Sequence, residues 1–62
     1  MMDIKEQLTG FRLTWLAENV VQPTGKIGMN INTFYSFVYR RSEDMPEWLR
    51  NELKRLTNRE II

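Results

Sequence analysis

Apolar residues recur along this chain mostly at spacings of three and four, the period of an amphipathic helix. In residues 3–20, DIKEQLTGFRLTWLAENV, Ile4, Leu8 and Phe11 share one face and Leu13, Leu16 and Val20 share another. Gly10 falls between the two sets and predicts two short helices, or one that kinks. Asp3 is a candidate N-cap for the first. Residues 21–26, VQPTGK, interrupt the pattern. Pro23 excludes a continuing helix and Gly25 suits a turn.

The pattern resumes over residues 30–41, where Asn30 or Asn32 can cap and Ile31, Phe34, Phe37 and Val38 follow helical spacing. The β-branched and aromatic content there favours a strand, but spacings of three and four rather than two decide for a helix. Phe34 and Phe37 are expected to face inward, leaving Ile31, Asn32, Tyr35, Ser36 and Tyr39 outward. In SEDMPEWLRNELKRLT, Ser42 or Asp44 is a candidate cap, Pro46 fits a first turn and Glu47 suits the positive end of the helix dipole. Trp48, Leu49, Leu53 and Leu56 make its buried stripe, with Arg50, Lys54 and Arg55 on the other side. The expected fold is all-α, a small four-helix bundle, or three helices if the first two merge. Its core should gather Trp48, Phe34, Phe37, Leu16 and Leu53.

Composition narrows the chemistry. A chain of 62 residues makes one domain, 1–62, with a thin stability margin. It has no cysteine and no histidine, which removes disulfides, almost all zinc sites, the thiol nucleophile and the commonest general base. At 42% hydrophobic residues it is too apolar for disorder, yet its apolar runs never exceed three residues, far below a membrane span. The start, MMDIKEQ, carries no apolar signal region, so a cytoplasmic protein is expected.

Net charge is only +1, but no acid lies between Glu18 and Glu43, a window that holds Lys26, Arg40 and Arg41. An acid-free basic segment in a near-neutral chain is the footprint of an anionic partner.

Other groupings read more plainly. Glu43, Asp44 and Glu47 are helix-start carboxylates rather than a metal or acid–base set. Trp15 and Trp48 are expected to fill the core. Arg50, Lys54, Arg55 and Arg59 read as a solvated face interleaved with Glu47 and Glu52. Ile61 and Ile62 are either a dimer contact or a frayed end. No nucleophile–base pair, phosphate loop or metal set stands in the sequence, so neither enzyme activity nor a cofactor is expected.

The stretch IGMNINTFYSFVYRR, residues 27–41, resembles the turn and recognition helix of helix-turn-helix DNA-binding proteins of the phage repressor and Cro type. That family's pattern of Leu-Gly-Val, three polar residues, Thr, an apolar residue and Tyr or Ser stands here as Ile27-Gly28-Met29, Asn30-Ile31-Asn32, Thr33, Phe34, Tyr35. Leu16-Ala17-Glu18 is similar to the Leu-Ala-Glu of the family's preceding helix, and MPEWLRNELKRL to its closing Pro-x-x-Leu helix. One departure from the pattern matters. Ala17 and Gly28 are eleven residues apart, where the family places Gly four residues beyond Ala, so the turn is enlarged.

The resemblance implies a repressor-like small transcriptional regulator, of phage or plasmid Cro type, that binds double-stranded DNA sequence-specifically and reads the major groove with helix 30–41. The contact residues would be Lys26, Asn30, Ile31, Asn32, Thr33, Tyr35, Ser36, Tyr39, Arg40 and Arg41. Asn pairs with adenine and an apolar group with a thymine methyl, while Lys and Arg neutralise phosphates. A homodimer is the expected working unit. The rival reading is a small phage- or plasmid-encoded module that grips a host or regulatory protein, since exposed Tyr and Arg also favour protein interfaces.

Overall fold

Helical periodicity is realised as α1 (Ile4–Gln7), α2 (Leu13–Asn19), α3 (Ile31–Tyr39) and α4 (Glu47–Thr57), with a 3-10 turn at Ser42–Asp44. The structure is a computed structural model that describes residues 4–61; the candidate cap Asp3 and the terminal Ile62 lie outside them. Gly10 separates α1 from α2 at φ +97°, a conformation that suits a residue without Cβ. The fold is all-α, and no helix among the described residues is long and apolar enough to cross a membrane.

Each element contributes to one core. Ile4 and Leu8 come from α1 and the turn after it, Leu16, Ala17 and Val20 from α2 and its C-cap, Phe34 and Val38 from α3, and Leu49 and Leu53 from α4. Phe37 and Trp48, expected at the centre, are half-buried and pack on its rim. Trp15 corrects the expectation of a core tryptophan. It is 43% exposed and stacks on Phe11, with ring centroids 6.4 Å apart. The reason is angular: Trp15 lies about 100° around the helix from Leu16, and α2 already buries Leu16 and Ala17 on the inward side.

Neither Ser42 nor Asp44 caps α4. Both lie in the 3-10 turn, and the N-cap position is Pro46, with no side-chain hydrogen bond. A proline disfavours helical geometry in the residue before it. Met45 is accordingly extended, and its side chain enters the core. At the other end, Asn58 adopts the left-handed conformation at φ 56°, and its N–H donates to the Lys54 carbonyl at 2.8 Å. Asparagine tolerates that cap geometry. The chain then turns back, and Ile61 is buried with 3% exposure. Ile61 therefore belongs to the protein's own core and is neither frayed nor open to a dimer contact.

Two arginines assigned to a solvated face have structural roles instead. Arg50 donates to the Ser42 carbonyl at 2.9 Å, tying the 3-10 turn to α4. Arg59 donates to the carbonyls of Gln7 (3.2 Å) and Thr9 (2.6 Å), and its guanidinium lies 5.0 Å from the Phe11 ring centroid. It thus satisfies carbonyls at and just beyond the C-terminus of α1, where a cation is favoured.

The enlarged turn is a miniature β-hairpin. Val21 and Ile27 form an antiparallel bridge, the Gln22 N–H donates to the Lys26 carbonyl, and the Gly25 N–H donates to the Gln22 carbonyl, both at 2.8 Å. The Gln22 side chain donates to the Gly28 carbonyl at 2.6 Å, and the Val21 N–H donates to the Glu52 carboxylate on α4 at 2.8 Å. The Arg55 guanidinium, bound to the same carboxylate at 2.7 Å, and then the Val21 N–H hold the Glu52 pKa below its ordinary value.

Beyond the hairpin, the Gly28 N–H donates to the Val20 carbonyl at 2.6 Å, and the Met29 N–H donates to the Ala17 carbonyl at 2.8 Å. Carbonyls at the end of α2 that its own helix leaves open are satisfied in this way. Gly28 is buried at φ +87°, and a Cβ there would stand 3.2 Å from the Glu18 carbonyl oxygen. Ala17 and Gly28 meet in space, and the residues between them bulge outward.

Candidate nucleic-acid interface

The first turn of α3 is set by Asn30. Its side-chain oxygen accepts from the N–H groups of Asn32 (2.8 Å) and Thr33 (3.3 Å), so Asn30 is the cap and the exposed Asn32 side chain is not used for it. Phe34 and Val38 are buried below. Ile31 belongs to their stripe, because residues three and seven positions apart share a helix face. It is half-buried and packed against the core, which corrects its assignment as an outward residue.

The outer face is continuous. Asn32, Tyr35, Ser36, Tyr39 and Arg40 line one shallow groove of about 380 Å³. Tyr35 is half-buried and meets Tyr39 edge to face, with centroids 5.8 Å apart. Thr33 is exposed beside Asn32. The Ser36 hydroxyl accepts from Arg41 Nε at 3.2 Å, and the Arg41 guanidinium lies 5.3 Å from the Phe37 ring centroid. Ser36 and Arg41 are thus engaged with each other, whereas Arg40 and Lys26 are exposed and held by no carboxylate among the described residues.

A second cleft, of about 300 Å³, joins the hairpin to the start of α3 and is lined by Glu18, Lys26, Ile27, Gly28, Met29 and Asn30. The candidate residues therefore fall in two places: Asn32, Tyr35, Ser36, Tyr39 and Arg40 in the groove, and Lys26 and Asn30 in the cleft.

Three residues outside the expected contact set also stand at these surfaces. Lys5 of α1 reaches over the Tyr39 ring, 5.2 Å from its centroid, and adds a positive charge. No local pattern links residues so far apart in the chain. Ile27, 70% exposed, projects from the hairpin, and Glu18 puts an acid in the cleft beside Lys26. The position of Ile27 just beyond the turn residues Pro23 and Gly25 is the one sequence signal for its exposure.

Chemically, the outer face offers a side-chain amide, phenol hydroxyls and cations. That set suits base edges and phosphates. Among the described residues, no three His, Cys, Asp or Glu gather as metal ligands. No family model, curated protein or solved structure matches the chain.

Proposed function

We propose that the protein binds double-stranded DNA sequence-specifically, as a small transcriptional regulator of the repressor and Cro kind, with α3 in the major groove. The observation that carries this reading is the contact of Gly28 with the end of α2. The bond from the Met29 N–H to the Ala17 carbonyl at 2.8 Å fastens the segment that enters α3 to α2, despite the inserted hairpin. A helix-turn-helix needs that fixed junction, because the first helix of the pair orients the second in the groove.

Asn32 then reads adenine through its amide. The Thr33 and Tyr39 hydroxyls position the helix on the backbone, and Lys26, Arg40, Arg41 and Lys5 supply the electrostatic attraction. The test is a binding selection against random duplex DNA at two salt concentrations. Affinity should fall steeply with salt, and Asn32→Ala should cost roughly 1–3 kcal/mol on the selected site, with preference relaxed at one base pair. If Asn32→Ala discriminates between sequences as the unaltered protein does, Asn32 is not a reader.

One observation favours the rival protein-binding reading. The Tyr35–Tyr39 pair beside Arg40, with Tyr39 54% exposed, has the composition of a protein hot spot. A partner captured through that groove would be a protein whose binding survives salt that removes DNA.

A further inference from the structure

The hairpin is ordered but buries little. Its base is tied to α4 through Glu52 and to Gly28 through Gln22, and its strands are tied to each other. Yet its bridge residues, Val21 and Ile27, are 40% and 70% exposed. Fixing a backbone segment costs conformational entropy, a cost that apolar burial here does little to offset. Rigidity without burial is what a contact element needs, since a side chain held in place loses less on binding.

The hairpin's position indicates what it contacts. Lys26 and Ile27 share a cleft with Asn30, the cap of α3, and Asn32 follows two residues later. Hairpin and helix start thus line one cleft. The segment from Asn19 to Ser42 contains no acid, and Glu18 is the single carboxylate lining the cleft. That leaves room for one phosphate at Lys26 and opposes a second. The apolar contact that Ile31 cannot make, because it packs on the core, is available from Ile27.

Resting on the DNA-binding reading, we infer that the Val21–Ile27 hairpin is a second DNA-contacting element. Lys26 meets a backbone phosphate beside the groove that α3 enters, and Ile27 meets a thymine methyl at the edge of the sequence read by the helix.

The experiment uses the full chain and the selected duplex, with each thymine replaced in turn by deoxyuridine, which lacks only the methyl. Loss of one apolar contact of that size weakens binding roughly fourfold. The unaltered protein should show such a loss at a position outside the one that Asn32→Ala relaxes. Ile27→Ser should bind the thymine and uracil duplexes there equally. Lys26→Gln should weaken binding to all sequences alike and lower the salt slope by about one. The uracil series needs no variant, so it stands even if Ile27→Ser unfolds. Two results overturn the hairpin contact: a series with no sensitive position outside the Asn32 step, or a Lys26→Gln salt slope equal to that of the unaltered protein. If Asn32→Ala still loses preference in that case, the DNA reading survives without the hairpin. Failure of the unaltered protein to bind any duplex at either salt removes both.

Discussion

Phe34 and Phe37 stand three positions apart on α3 but have unequal weight. Phe34 is fully buried, whereas Phe37 is half-buried beneath Arg41. Phe34→Ala should cost about 3–5 kcal/mol by cavity formation, enough to unfold much of so small a domain, and Phe37→Ala clearly less. Urea midpoints measure both, and equal losses would mean that α3 is rotated from the arrangement described. The two turn glycines make a second contrast. At Gly25 (φ +92°) an added Cβ would meet nothing within 4 Å, whereas at Gly28 (φ +87°) it would meet the Glu18 carbonyl oxygen at 3.2 Å. Gly25→Ala should therefore cost only the left-handed penalty of about 1–2 kcal/mol. Gly28→Ala should cost more and, if α3 reads DNA, should weaken binding further by prising the two helices apart. Thermal midpoints and duplex affinity, measured together on both variants, check this.

At the scale of elements, α1 has only Ile4 within it and spacing leaves its separation from α2 open, whereas α2, α3 and α4 were legible because each carries apolar residues three or four apart. Even there, the choice between Asn30 and Asn32 as cap needed coordinates. The hairpin was not legible. A single bridged pair has no alternating run to announce it, and VQPTGK reads only as a break. Ile61 was equally hidden, since its burial depends on Asn58 turning the chain back, and a lone apolar end looks the same whether it docks or frays. In the candidate site, the outward Asn32 and Tyr39 were readable from spacing and Arg40 from the acid-free window, whereas Lys5 arrives through tertiary packing.

The hairpin's anchor has a pH consequence. Arg55 and the Val21 N–H hold the Glu52 pKa below its ordinary value of 4.5. The stabilisation is thus fully present above the unfolded-state pKa and is lost as pH falls through the lower folded value. Glu52→Gln should remove that acid-side dependence and speed amide exchange at Val21. An unchanged acid limb in the variant would show that Glu52 does not anchor the hairpin.

The whole molecule measures 31 × 23 × 20 Å, slightly less than one duplex turn of about 34 Å. On the proposed reading, one copy with one reading helix would cover a half-site, and few phosphate contacts would make weak binding at physiological salt. A homodimer on a palindrome with half-sites one turn apart is the proposed working unit. Sedimentation equilibrium should find two chains per palindromic duplex, and one chain per duplex would refute the pairing. Ile61 is closed to this association by its own burial. A form ending at Arg59 should therefore lose thermal stability through its core, which the same preparation can report.

The Arg59 clasp also bears on how the chain is made. Ile4, Leu8 and the carbonyls of Gln7 and Thr9 are synthesised early, while Arg59, 52 and 50 positions after those two carbonyls, comes late. A four-residue helix cannot hold itself together in water. At 5–20 residues per second, roughly 3–10 s separate the emergence of α1 from that of its clasp. Until then α1 lacks the hydrogen bonds that Arg59 gives the carbonyls at and just beyond its end and has, of the two supports, only its packing on α3.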